Sequence, residues 1–83
     1  MEKSLKLLII DDEESICMAF KRFFQKRDWT VDSAASLEKG RVCLQHNSYD
    51  LIFLDVRLPD GNGLEFLDEL MSDNPNCRVV VIS

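Results

Sequence analysis

The chain has 83 residues, of which 46% are hydrophobic and 30% are charged, and its formal net charge is -5. This length leaves room for one small domain, and the composition is that of a folded chain rather than a disordered one. The acidic balance argues against direct binding of nucleic acid, because phosphate neutralisation needs clustered cations.

The sequence predicts neither a membrane protein nor a disulfide-rich one. No apolar stretch approaches the roughly 18 residues of a membrane span, and the first residues lack the apolar core of a signal peptide. The three cysteines, Cys17, Cys43 and Cys77, are an odd number without CxxC spacing. They are therefore expected to be reduced thiols of a cytoplasmic protein rather than a disulfide frame or a zinc site.

The first half of the chain alternates strand-like and helical patterns. Residues 5–10 form an apolar run that predicts a strand, and residues 14–27 carry apolar side chains at the spacing of one helix face. Residues 30–34 predict a short, polar strand at a sheet edge. Ser36 predicts the N-cap of a second helix that runs to about His46. The apolar positions are Ile16, Ala19, Phe20, Phe23 and Phe24 in the first helix and Leu37, Val42, Cys43 and Leu44 in the second.

The second half contains the most apolar strand pattern. Four large apolar residues at 51–54 predict a strand that is buried on both faces. Residues 58–63 are rich in the turn-forming residues Gly, Pro, Asn and Asp. Asn62, followed three residues later by Glu65, resembles a capping box that begins a third helix over residues 63–72. The expected buried face of this helix consists of Leu64, Leu67, Leu70 and Met71.

A β-branched run at residues 78–82 predicts a fourth strand, so the pattern is β-α-β-α-β-α-β. This alternation predicts an α/β fold in which right-handed helical crossovers join parallel strands. Because the chain stops on a strand as apolar as any that it contains, we expect a truncated domain or one completed by another chain.

Acidic side chains follow two of the predicted strands where each strand ends. Asp11 and Asp12 follow the first strand, Asp55 ends the third, and Ser83 follows the fourth. In an open parallel sheet these ends form the functional crevice. Carboxylates that meet there repel one another unless a cation is present, and Mg²⁺ prefers such oxygen ligands. The alternatives are capping of the first helix by the paired acids and an ordinary turn role for Asp55.

The order of these motifs resembles the receiver domain of bacterial two-component response regulators, and within that family the NtrC type. The motifs are Asp11-Asp12 after an apolar strand, then Leu-Ile-Phe-Leu-Asp55-Val-Arg-Leu-Pro59-Asp-Gly-Asn-Gly63, then Val-Val-Val-Ile-Ser83. The resemblance implies a flavodoxin-like sheet with strand order 2-1-3-4 and the fifth strand missing, so that residues 1–83 form an incomplete receiver domain.

The resemblance also implies a role for each site residue. Asp55 is expected to be the phosphoacceptor that takes a phosphoryl group from a histidine of a sensor kinase. Asp12 is expected to bind Mg²⁺ directly and Asp11 largely through water, together with Asp55 and the backbone carbonyl of Arg57. Ser83 is expected to supply the switch hydroxyl. The resemblance implies that the chain is a cytoplasmic signalling domain and not an enzyme. It would act on an attached or partner output domain, most simply one that regulates transcription.

Members of this family continue with another helix, a fifth strand that carries a Lys, and a last helix. From their absence we expect the 83-residue form to bind Mg²⁺ weakly and to react poorly or not at all. We also expect self-association or strand exchange between copies.

Three other functions are weighed against this one. A P-loop ATPase lacks its G-x-x-x-x-G-K-[ST] motif here. A haloacid-dehalogenase-like phosphatase would need a second Asp where this chain has Arg57. A phosphorylation-incompetent interaction module of the same fold would use the acids for capping and partner docking.

Overall fold

The computed structural model describes residues 4–82, which fold into six strands and three helices. In chain order these elements are β1 (Lys6–Ile10), α1 (Glu14–Gln25), β2 (Thr30–Ala34), α2 (Leu37–His46), β3 (Leu51–Asp55), β4 (Arg57–Leu58), β5 (Gly61–Asn62), α3 (Gly63–Asp73) and β6 (Arg78–Ile82). The four long strands form one parallel sheet in the order β2-β1-β3-β6, and β4 pairs with β5 in a separate antiparallel hairpin. Since β6 is the fourth long strand, the predicted α/β fold and strand order 2-1-3-4 are confirmed.

The central strand β1 separates two hydrophobic clusters. Its side chains alternate between the two faces of the sheet, as the geometry of a strand requires. Leu8 and Ile10 belong to the cluster that α2 and α3 cover. Leu7 and Ile9 belong to the cluster that α1 covers. All four side chains are fully buried, so β1 is fixed on both faces and holds the residues that follow it in place.

The buried face predicted for α3 is partly wrong. Leu64 is 50% exposed and Met71 is 56% exposed, whereas Phe66 is 4% and Leu70 is 1% exposed. The helix begins at Gly63, and the face that continues from it at helical spacing contains Phe66, Leu67 and Leu70. Leu64 and Met71 are seven residues apart and so share a different face.

The capping of α3 also differs in detail from the predicted capping box. The side chain of Asn62 accepts a hydrogen bond from the backbone N–H of Leu64 at 2.8 Å. A capping box would use the N–H of Glu65 instead. Asn62 is nevertheless the N-cap residue of the helix, as the sequence predicts.

Burial in the other elements follows the number of helices on each face. Ile52 and Leu54 of β3 are fully buried beneath α2 and α3, but Leu51 and Phe53 on the α1 side are only partly buried, which corrects the prediction of a strand buried on both faces. One helix covers less of a sheet face than two helices do.

The predicted apolar positions Ile16, Phe23 and Val42 are exposed, while Cys17 is buried.

The segment predicted as a turn after β3 is the hairpin β4–β5. The backbone N–H of Gly63 closes its base by donating to the carbonyl oxygen of Val56 at 2.7 Å. A side chain at Gly63 would overlap the carbonyl oxygen of Asp55 and approach Cγ of Leu54 to 3.2 Å. The close approach of these two backbone segments therefore requires glycine at this position.

The sheet edges are β2 and β6 within the described residues. The position of β2 confirms the edge strand predicted at residues 30–34. Val80 and Val81 of β6 are 41% and 39% exposed. The predicted self-association or strand exchange stays a prediction.

Gly63→Ala is expected to lower the free energy of unfolding by roughly 1–3 kcal/mol, since backbone must move to admit the methyl group. The matched control is Gly40→Ala in α2, where the new Cβ would lie 2.8 Å from Cδ1 of Ile10. That atom ends a flexible side chain, and alanine favours a helix by about 1 kcal/mol over glycine, so the loss is smaller. Urea unfolding of both variants measures the difference, and equal stability of Gly63→Ala and wild type would contradict it.

Candidate metal centre

Three carboxylates converge at the carboxyl end of the sheet. β1 and β3 are parallel neighbours, with Ile10 paired to Leu54, so the residues that come next along the two strands meet. Asp11, Asp12 and Asp55 each offer an oxygen atom, and these atoms all lie within 4.8 Å of one another. The structure thus brings together the three acids that the sequence analysis singled out.

The three side chains differ in depth. Asp11 is 5% exposed, Asp55 is half-buried and Asp12 is exposed. The cluster therefore opens to solvent on one side and is closed on the other. A small hydrated ion can reach it without any rearrangement of the core.

Asp11 is held in place by hydrogen bonds on both its backbone and its side chain. Its N–H donates to the carbonyl oxygen of Ala34 at 3.0 Å, and its side chain accepts from the N–H of Glu13 at 2.9 Å. Its carbonyl oxygen accepts a weak bond from the thiol of Cys17 at 3.4 Å. Burial raises the pKa of Asp11, and the charges of Asp55 and Asp12 act in the same direction. The surroundings of Asp11 therefore disfavour its ionised form, which a nearby cation would stabilise.

Capping of α1 does not explain the paired acids. The N-cap residue of α1 is Glu13, and it makes no side-chain capping hydrogen bond. Asp11 accepts from the N–H of this N-cap residue and so forms a local turn before the helix. The hydrogen bond of Asp11 therefore lies in the turn before α1 and does not cap the helix.

Asp55 lies at the base of the hairpin. One of its carboxylate oxygens accepts from the backbone N–H of Arg57 at 3.3 Å, which limits rotation of the side chain. The next residue, Val56, donates its N–H to the carbonyl oxygen of Ile82 at 3.2 Å. The Arg57 carbonyl as a metal ligand stays a prediction, and Ser83 lies outside the described residues.

The donor set fits a hard divalent cation. It consists of carboxylate oxygens, without a histidine or cysteine ligand in the cluster found among residues 4–82. Such oxygen ligands suit Mg²⁺, which keeps several waters and binds through one or two carboxylates. A bound cation would reduce the electrostatic repulsion among the three carboxylates.

One residue that organises this region was not singled out by the sequence analysis. Asp60, at the tip of the hairpin, accepts hydrogen bonds from the backbone N–H groups of Leu37 and Glu38 at 2.8 and 2.9 Å. The sequence showed it only as part of a turn. Its partners are 23 and 22 residues away, so no local pattern could reveal them.

Comparison with known proteins identifies the family in which this fold and carboxylate cluster occur. The family model of the response regulator receiver domain matches residues 7–83. The chain is 34% identical over 82 residues to the alginate biosynthesis transcriptional regulatory protein AlgB of Pseudomonas aeruginosa. This match covers 99% of the chain and 18% of AlgB. It is 32% identical over 77 residues to the photosynthetic apparatus regulatory protein RegA of Cereibacter sphaeroides, with 93% of this chain and 42% of that protein covered. The chain therefore spans less than half the length of either regulator.

A solved structure shows the same fold. A two-component response regulator from Clostridium difficile superposes with a TM-score of 0.90 at 31% identity, covering 94% of this chain and 64% of that one. None of the helices in residues 4–82 has the length and apolar character needed to cross a membrane. The parallel sheet, the carboxylate cluster at its end and the family match over nearly the whole chain establish that this chain belongs to the response regulator receiver domain family.

Proposed function

We propose that this chain accepts a phosphoryl group on Asp55 from a histidine of a sensor kinase, with Mg²⁺ bound at the carboxylate cluster. The observation that carries the proposal is the meeting of Asp11, Asp12 and Asp55 within 4.8 Å at a solvent-open sheet end. A docking role that does not involve phosphorylation would not require these three carboxylates to lie so close together, although their mutual repulsion costs stability. The phosphoacceptor function is therefore favoured over the interaction-module alternative.

The transfer is a displacement at phosphorus. A carboxylate oxygen of Asp55 attacks, the phosphorus–nitrogen bond to the donor imidazole breaks, and an aspartyl phosphate forms while the released nitrogen keeps the electron pair and takes up a proton from water. The N–H of Arg57 holds one carboxylate oxygen of Asp55 and so orients the nucleophile. Mg²⁺ bound at this site would neutralise negative charge on the phosphoryl group during its transfer. Asp11 and Asp12 would hold the ion, with the Arg57 carbonyl as a further ligand.

The output is proposed from the relatives. AlgB is named as a transcriptional regulatory protein, and the chain covers 18% of it. An attached or partner domain that regulates transcription is the simplest output for this chain. The free state of Cys17, Cys43 and Cys77 is compatible with the proposed cytoplasmic location.

Asp55→Asn is expected to abolish modification of the chain by a small acyl phosphate donor in the presence of Mg²⁺, because the amide is not a nucleophile. Intact mass followed by peptide mapping measures the label. Asp73→Asn, at the far end of α3, is the matched control and should retain the wild-type label. Beryllofluoride binding, which needs no turnover, gives a second measurement. Label on another residue, or beryllofluoride binding that survives in Asp55→Asn, would refute the proposed role of Asp55.

Mg²⁺ is expected to stabilise the wild-type chain by about 2.7 kcal/mol at one hundred times its Kd. Asp11→Asn should remove most of this effect and yet raise stability without metal at neutral pH. The buried carboxyl group has a raised pKa in the folded state, so it contributes a penalty that grows as pH rises through that pKa. Asparagine can still accept from the N–H of Glu13, so the local turn is kept.

Thermal unfolding with and without Mg²⁺, at pH 4 to 8, measures both effects of Asp11→Asn. A change of about 1 kcal/mol corresponds to roughly 4–8 °C in a domain of this size. Asp73→Asn should leave the Mg²⁺ effect unchanged. The interpretation fails if Asp11→Asn keeps the full Mg²⁺ stabilisation, or if its metal-free stability relative to wild type does not rise with pH.

A further inference from the structure

The hairpin β4–β5 is held at its base and at its tip. The N–H of Gly63 closes the base through the carbonyl oxygen of Val56 at 2.7 Å. At the tip, the two carboxylate oxygens of Asp60 accept from the N–H groups of Leu37 and Glu38 at 2.8 and 2.9 Å. A two-stranded hairpin is marginally stable on its own, so the contacts at its tip help to decide where it lies.

The tip contact is a charged one. Ser36 accepts from the N–H of Lys39 at 3.2 Å, so Asp60 and Ser36 together satisfy the first three backbone donors of α2. The bonds from Glu38 and Leu37 hold the pKa of Asp60 below its usual range. The carboxylate is consequently ionised at neutral pH and complements the positive end of the helix dipole.

Helix α2 in turn rests on the strand that leads to the other two acids. Gly40 faces Ile10 so closely that a Cβ would lie 2.8 Å from Cδ1 of that side chain. Ile10 is fully buried and directly precedes Asp11. At the hairpin, a Cβ on Gly61 would lie 3.0 Å from Cδ1 of Leu37. Contacts therefore run without interruption from the hairpin tip through α2 to the end of β1.

From this arrangement we infer that Asp60 is a positioning residue for the metal centre. By tying the hairpin to α2, it fixes the backbone of Arg57 relative to Asp11 and Asp12. The inference rests on the proposed Mg²⁺ site and adds to it a residue that does not touch the ion. Loss of the tie would leave the hairpin held by its base and by the packing of Gly61 against Leu37. Without the two hydrogen bonds at the tip, the side of the site formed by Asp55 and Arg57 would be held less firmly.

The test compares two variants that weaken the same end of α2. Asp60→Ala removes two hydrogen bonds that join the hairpin to the helix, whereas Ser36→Ala removes one that lies within the helix end. Calorimetric titration with Mg²⁺ alone should show a Kd about tenfold higher for Asp60→Ala, the lower end of the range for residues that support metal ligands. Ser36→Ala should keep the wild-type Kd. Asp60→Asn, with a single acceptor oxygen, should lie between the two.

Amide hydrogen exchange gives a readout that helix capping alone would not move. The Gly63 amide, which closes the hairpin base, should exchange faster in Asp60→Ala than in the wild type. It should keep its wild-type rate in Ser36→Ala. If Asp60→Ala does not fold, Asp60→Asn carries both measurements.

Each outcome decides the question. A wild-type Kd in folded Asp60→Ala overturns the inference, and an equal loss in Asp60→Ala and Ser36→Ala overturns it as well, because general destabilisation would then explain both. A wild-type chain that binds no Mg²⁺ overturns the proposed metal site and the inference together. Wild-type binding with a selective loss at Asp60 supports both.

Discussion

The pairing of β1 with β3 is the constraint on which the rest of the site depends. The two strands are parallel and in register, so the acids that follow Ile10 and Leu54 meet at one edge of the sheet. The same hydrophobic burial that fixes the strands prevents these acids from moving apart. Folding thus brings like charges together. Burial first, and the charges of Asp55 and Asp12 after it, raise the pKa of Asp11, the most buried of the three. A fold that sets up such repulsion gains stability from any cation that relieves it.

Backbone packing beneath the cluster serves the same arrangement. Gly63 lies against the carbonyl oxygen of Asp55, so α3 begins directly under the end of β3. Its N–H closes the hairpin on Val56. Because the approach to Asp55 leaves no room for a side chain, the glycine couples the start of a helix to the position of a carboxylate. Gly63 is the last residue of the Asp55–Gly63 motif that carries the family resemblance, and the structure supplies the steric reason for a glycine there.

The elements that were predicted well are those defined by local patterns. The strand at residues 30–34 and the N-cap Ser36 follow from polarity and capping chemistry, which act between near neighbours in the sequence. The buried face of α3 could not be chosen with certainty, since leucines and a methionine occupy several sides of the helix and tertiary packing selects among them. The tie made by Asp60 was out of reach for a different reason. It joins segments more than 20 residues apart, and an aspartate in a turn has a sufficient local explanation already.

The difference in depth among the three acids explains why they are not equivalent. Asp11 is 5% exposed and bonded to its own turn, so a phosphoryl donor cannot reach it. Asp12 is exposed, and a well-hydrated carboxylate is a poor nucleophile but an adequate metal ligand. Asp55 is half-buried and oriented by the N–H of Arg57, which combines access with a fixed direction of approach. The phosphoryl transfer proposed for this chain would need that combination, because such a transfer depends more on alignment and charge than on the strength of the nucleophile.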